Sequence, residues 1–117
     1  MRLRSDSIQP GQPIAARDAI GRADGFAANR NPHLAWDDVP AGTASFVLLC
    51  IDPDVPTMAA VVGRDDVQIP FEQLRTNLVC WAAVEIPAEV RAIAEGSASD
   101  GGVAKGKRQP PGVPGAR

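Results

Sequence analysis

The sequence has no tyrosine, and aromatic residues make up only 4% of its 117 residues. Proteins that bind single-stranded nucleic acid stack bases on aromatic side chains, so this scarcity disfavours that class. The formal net charge is −2, which gives no overall attraction to nucleic acid or to anionic membranes. The longest fully apolar runs, Phe46–Ile51 and Leu78–Val84, are too short to span a bilayer.

Residues that build catalytic and metal sites are also few. His33 is the single histidine, and the chain has no Gly-x-Ser-x-Gly motif, which disfavours nucleophilic hydrolysis. Cys50 and Cys80 are too few for a structural zinc site, and the spacing of Asp52, Asp54, Asp65 and Asp66 does not fit an EF-hand calcium loop, so we expect no metal. Both lie in apolar runs and are interpreted as reduced, buried thiols, with a disulfide between neighbouring strands as the less favoured alternative. The N-terminus lacks the apolar core of a signal peptide, so we expect a cytoplasmic protein.

The hydrophobic pattern predicts a mainly β protein. The apolar runs Ala44–Ile51 and Leu78–Ile86 predict two strands that are buried on both faces. Residues 2–8 predict an edge strand, and Leu34 and Trp36 would share one face of a short strand. After Pro87 we expect one short helix, with an apolar stripe formed by Val90, Ile93 and Ala94 and with Gly96 just past its end.

Two carboxylates follow the first of these strands, in Asp52-Pro53-Asp54-Val55-Pro56. Because proline cannot continue a sheet ladder, the strand should end at Ile51 and a stiff loop should hold Asp52 and Asp54. Strand-end loops often carry binding residues. On residue types alone, however, a plain turn is the favoured interpretation.

The flanking sequence reverses that preference. The run from Asn31 to Pro56, Asn-Pro-His-Leu-Ala-Trp-Asp-Asp-Val-Pro-Ala-Gly-Thr-Ala-Ser-Phe-Val-Leu-Leu-Cys-Ile-Asp-Pro-Asp-Val-Pro, resembles the phosphatidylethanolamine-binding protein (PEBP) family, in its bacterial Raf kinase inhibitor-like branch. The resemblance continues in Cys80-Trp81-Ala82-Ala83-Val84-Glu85-Ile86-Pro87-Ala88. It implies a PEBP-like β-sandwich with a central antiparallel sheet and a short helix.

The resemblance covers residues 1–105, and later family elements are not found. These elements are a Gly-x-x-x-Gly-Pro-x-Pro-Pro-like segment and a His-Arg-Tyr-like strand. We therefore expect a partial domain at residues 1–100 that lacks its C-terminal third, followed by a Gly/Pro/Lys-rich flexible tail at 101–117. The P-loop-like stretch Gly101–Lys107 is interpreted as a chance match, since Arg108 stands where the magnesium ligand is needed.

The resemblance also implies a site. In similar proteins the Asp-Pro-Asp-x-Pro loop forms one wall of a small anion-binding pocket beside a histidine, which carries over to Asp52, Asp54 and Pro56. Cys80 stands at the histidine position, before Trp81. Because a thiol carries no positive charge, we expect weak or absent phosphate binding, which Cys80→His should strengthen.

The resemblance implies a non-enzymatic protein without a cofactor, which binds a small anionic, phosphate-bearing ligand or a protein partner and acts in regulation or inhibition. A second hypothesis is a truncated or degenerate interaction fragment with no working pocket, whose unpaired strand edges and apolar faces promote homo-oligomers. A third, hydrolysis by water activated on the two aspartates, is disfavoured because no base with a raised pKa is evident.

Overall fold

The computed structural model describes residues 1–22, 25–61, 64, 66–102, 112–113 and 115–116. Its strands are β1 Arg2–Arg4, β2 Gly21–Arg22, β3 Gly25–Phe26, β4 Leu34–Asp37, β5 Ser45–Pro56, β6 Arg75–Pro87 and β7 Ala92–Ile93, with single 3₁₀ turns at Ala16–Asp18 and Ala59–Val61. The predicted mainly β class is confirmed. No helix within these residues is long and apolar enough to cross a membrane.

The chain forms two compact units. Unit 1 combines Met1–Phe46 with Ala83–Arg117, and unit 2 is Val47–Ala82. Unit 1 contains a three-stranded antiparallel sheet in the order β1-β4-β7 and the small β2–β3 hairpin. The expected edge strand is therefore β1, whose Leu3 lies opposite Trp36 on the central strand.

The core of unit 1 surrounds β4. Ala35 and Trp36, which point to opposite faces, are both buried, so this central strand is covered on both sides. Trp36 packs edge-to-face on Phe46 with ring centroids 5.5 Å apart. Residues distant in sequence complete the core: Ala83, Ile86, Ile93, Ala98 and Val113.

The segment after Pro87 forms a strand, so the predicted helix is wrong. A turn, in which the Val90 N–H donates to the Pro87 carbonyl (3.0 Å), leads directly into β7. There Ile93 lies opposite Leu34 and is buried. This segment forms a strand because the edge of β4 supplies backbone hydrogen-bond partners. The helical spacing of its apolar residues gives no indication of that edge. Gly96 then turns the chain at φ +74°, where a Cβ would lie 2.7 Å from the Arg30 guanidinium.

β5 and β6 pair in a two-stranded sheet. Thr57 and Leu74 lie at the two ends of the segment that connects these strands, and the Thr57 N–H donates to the Leu74 carbonyl (3.1 Å). The predicted second strand is confirmed as part of β6, but β5 runs through Asp52–Pro56 and does not end at Ile51. Among the described residues β5 has one neighbouring strand, and prolines are tolerated in a strand with a free edge.

The expectation that these two strands are buried on both faces is also wrong. Val47, Leu49 and Ile51 are 62%, 52% and 48% exposed, and Leu78 and Val79 on β6 are 51% and 53% exposed. Apolar runs predict burial only if other elements cover both faces, and among the residues that the structure describes β5 and β6 pair only with each other. Cys50 and Cys80 are free thiols, but both residues are exposed and not buried as predicted.

Candidate functional site

Asp52 and Asp54 lie on the final part of β5, and both are exposed. They are two residues apart, so they share one face of the strand with Cys50. Asp52 Oδ1 accepts a hydrogen bond from the Asp54 backbone N–H at 2.9 Å. This local bond is the turn-forming interaction typical of aspartate, and it fixes the orientation of the Asp52 carboxylate relative to Asp54.

Arg75, the first residue of β6, contacts this segment. Its Nη1 donates to the Asp54 carbonyl at 3.1 Å and its Nη2 donates to the Pro70 carbonyl at 3.3 Å. Its Nε lies 3.8 Å from Asp54 Oδ1, and the side chain is 26% exposed against 78% for Asp54. The guanidinium is thus held near the Asp54 carboxylate by two backbone acceptors, the carbonyls of Asp54 and Pro70.

Sequence reasoning missed Arg75 because it looked for a cation only at position 80. One signal was present: Arg75 stands at the start of the second apolar strand. In a hairpin the start of the second strand lies beside the end of the first, where Asp52 and Asp54 were placed. The contact bridges 21 residues of sequence, so local spacing could not show it.

The thiols on the same pair of strands form the other part of the candidate site. Cys50 is exposed as a residue, but partial enclosure of its sulfur raises the pKa of the thiol, and electrostatic interaction with Cys80 and Asp52 raises it further. Cys80 therefore lies within electrostatic reach of Cys50. Its S–H has one weak contact, with the Leu78 carbonyl at 3.8 Å.

The remaining predicted site residues, Pro56 and Trp81, are half-buried. Pro56 is the last residue of β5, and Trp81 follows Cys80 on β6. In the described part of the chain, no hydrogen bond or ion pair joins Cys80 or Trp81 to Asp52 or Asp54. Of the predicted site residues, the structure brings Asp54 into contact with Arg75, which was not predicted.

A second polar cluster lies in unit 1. Glu95 Oε2 accepts a hydrogen bond from Ser7 Oγ at 2.6 Å, and Arg17 and Arg30 lie 3.2 and 3.4 Å from Oε1. The hydrogen bond from Ser7, with the charges of both arginines, holds the pKa of Glu95 below its usual value. His33 lies beside this cluster, donating its backbone N–H to Ser7 Oγ at 2.9 Å. The cluster joins the N-terminal segment to the turn after β7.

Unit 1 also has an apolar groove of about 430 Å³, lined by Leu3, Arg4, Ser5, Ile8, Gln9, Pro10 and Leu34. No predicted site residue lines it. Within the described residues no three His, Cys, Asp or Glu side chains are grouped as metal ligands. Most of the P-loop-like stretch and Asp65 lie outside the described residues.

Comparison with known proteins gives a consistent result. The family model for phosphatidylethanolamine-binding protein matches residues 4–112. The UPF0098 protein YbhB of Escherichia coli K12 is 34% identical over 99 residues, which is 85% of this chain and 52% of YbhB. A UPF0098 protein of Aquifex aeolicus is 34% identical over 65 residues, 56% of this chain and 28% of that protein.

The chain thus spans about half the length of YbhB and less of the Aquifex protein. The family model, by contrast, covers nearly all of this chain, including both strands that carry Asp52, Asp54, Arg75 and Cys80. This chain belongs to the phosphatidylethanolamine-binding protein family.

Proposed function

We propose that this protein is a non-enzymatic, cytoplasmic binding protein that holds a small anionic, phosphate-bearing ligand at Asp52–Pro56. The observation that carries the proposal is the contact between Asp54 and Arg75, which puts a guanidinium beside the family's Asp-Pro-Asp-x-Pro motif. Guanidinium groups recognise phosphate through several parallel N–H donors. The name of the matching family, a phosphatidylethanolamine-binding protein, points to the same class of headgroup.

In this proposal Cys80 and Trp81 border the site from β6, and residues 1–100 form the binding domain. Residues 101–117 follow it, and of these Val113 is buried in the core of unit 1. Binding is weak because position 80 has no cation and because Asp52 and Asp54 repel a phosphate. A regulatory role would follow if the ligand, or a protein partner carrying a phosphate, occupied this segment. No cofactor takes part.

The test is a titration with inorganic phosphate and with O-phosphoethanolamine, followed by chemical-shift changes in two-dimensional NMR. We expect millimolar or weaker binding to the natural sequence, and a gain of about two- to threefold in Cys80→His that is larger at pH 6 than at pH 8, because histidine is charged at the lower pH. Cys80→Ser is the matched neutral control. A folded Cys80→His protein with no gain at pH 6 would count against a binding role for position 80.

The exposed apolar residues of β5 and β6 favour a second candidate function, an interaction module that self-associates. Val47, Leu49 and Ile51 form one row on β5, each about half exposed or more. Light scattering after size exclusion should then show oligomers that Leu49→Lys disperses. Phe71→Lys is the control, because Phe71 is 93% exposed but lies between the strands. A monomeric natural sequence at high concentration contradicts this candidate.

A further inference from the structure

We propose that Arg75 is the anion-binding group of this segment and that Asp54 competes with the anion for its guanidinium. This inference rests on the proposed function and deepens it, because it assigns the contacting residue and an internal competitor. The family resemblance places a histidine beside the Asp-Pro-Asp-x-Pro loop. Here position 80 is a cysteine, and the carboxylate of Asp54 faces an arginine instead.

The first argument is the way Arg75 is held. Two of its nitrogens donate to the carbonyls of Asp54 and Pro70, so the guanidinium is positioned before any ligand arrives. Its Nε is buried and has no hydrogen-bond partner among the described residues. The 3.8 Å separation of Nε from Asp54 Oδ1 is too long for a hydrogen bond. When the exposed Asp54 side chain moves away from Nε, a tetrahedral oxyanion in its place would supply the acceptor that Nε lacks.

The second argument is charge. Unit 2 contains five acidic residues, Asp52, Asp54, Asp65, Asp66 and Glu72, but only two basic residues, Arg64 and Arg75. Arg64 is engaged by both carboxylate oxygens of Asp66, which occupy its Nε and Nη2. Of the two basic residues, Arg75 is therefore the one left to attract an anion, against the net negative charge of the unit.

The third argument is that Asp54 holds Arg75 loosely. Its side chain is 78% exposed, so it can rotate into solvent without leaving a buried charge. Exposed ion pairs of this kind are weak. The apparent affinity of a ligand that needs the free guanidinium is proportional to the fraction of molecules in which Asp54 has released Arg75. Removing the carboxylate should therefore raise the affinity for inorganic phosphate about two- to fivefold.

The experiment measures the dissociation constant of inorganic phosphate for the full chain by NMR, with the Arg75 Nε–Hε signal as a local readout. The variants are Asp54→Asn, Arg75→Gln and Arg75→Lys. Glu72→Gln is the matched control, because it removes one exposed negative charge from the same unit without releasing Arg75. We expect tighter binding in Asp54→Asn with a shift of the Arg75 signal on titration, no comparable gain in Glu72→Gln, intermediate binding in Arg75→Lys and loss of binding in Arg75→Gln.

Several outcomes overturn the inference. If Asp54→Asn weakens binding, Asp54 helps to hold the anion and does not compete with it. If Asp54→Asn and Glu72→Gln give equal gains, only the general charge matters. If Arg75→Gln does not fold, the comparison of Asp54→Asn with Glu72→Gln still tests the inference, because each variant removes one exposed carboxylate. Binding that appears only in Cys80→His would refute Arg75 and leave the proposed function standing, whereas no saturable binding in any variant refutes both.

Discussion

Replacing Asn31 by alanine should destabilise unit 1 more than almost any other polar substitution. Asn31 is 5% exposed, although its side chain is polar. Its Oδ1 accepts hydrogen bonds from the backbone N–H groups of Ala98 (2.7 Å) and Ser99 (2.8 Å), and its Nδ2 donates to the carbonyls of Ala94 (2.9 Å) and Pro32 (3.0 Å). One side chain thereby connects the start of β4 with the segment after β7.

The magnitude follows from these four bonds. A net hydrogen bond contributes about 1 kcal/mol, and a buried donor left without an acceptor costs about 1–3 kcal/mol. Asn31→Ala removes the acceptor from two backbone donors and the donors from two carbonyls, so we expect the free energy of unfolding to fall by about 3–5 kcal/mol. Total stabilities of single domains are about 5–15 kcal/mol, so this loss is a large fraction of the whole.

Urea denaturation followed by tryptophan fluorescence measures the change, since Trp36 is buried in the same unit. Asn77→Ala is the control: Asn77 is exposed on β6, and substitutions at such surface positions change stability by about 0.5 kcal/mol or less. A loss below about 1 kcal/mol in Asn31→Ala would refute the reasoning, because water would then replace the side chain at little cost.

Two further predictions concern titratable groups. The lowered pKa of Glu95, caused first by the Ser7 hydrogen bond, contributes stability that is present above the carboxyl's ordinary pKa and is lost as the pH falls through the lowered value. Stability measured in urea should therefore drop less between pH 5 and pH 3 in Glu95→Gln than in the natural sequence; an equal drop in both would contradict this. The raised pKa of Cys50 keeps its thiol protonated, so iodoacetamide should modify it more slowly at pH 8 than it modifies glutathione. Mass spectrometry measures the rate of modification. Asp52→Asn should increase this rate only slightly, because burial is a larger cause of the raised pKa than the charge of Asp52. A rate equal to that of glutathione would count against the enclosure of the sulfur.

Local sequence patterns predicted two kinds of element correctly. These are elements whose partners are close in sequence and elements whose residue types favour one backbone conformation. The alternation around Leu34 and Trp36 predicted β4, and the long apolar runs predicted β5 and β6. The turn before β5 contains Pro40 and Gly42, which are residue types that favour turns. In it the Thr43 N–H donates to the Pro40 carbonyl at 3.3 Å, and Gly42 has a φ of +82°. In each case side-chain type restricts the backbone directly.

The errors arose where a distant partner decided the outcome. Val90, Ile93 and Ala94 fit a helical stripe, but β4, about sixty residues earlier, supplies an edge that makes Ala92–Ile93 a strand. The apolar character of Val47–Ile51 predicted burial, yet burial depends on neighbours that no local window contains. The candidate site shows the same limit. The aspartates were found from their motif, whereas Arg75 was recognisable only once the two strands were paired.

The alternation of β5 separates the two proposed functions physically. Cys50, Asp52 and Asp54 point to one face of the strand, while Val47, Leu49 and Ile51 point to the other. The proposed anion binding uses the first row and its contact with Arg75, and the proposed association uses the second. Substitutions in separate environments without shared partners are close to additive. Leu49→Lys should therefore leave the phosphate affinity within about twofold of its natural value. A larger change would mean that the apolar row supports the anion site, and that the two functions are one.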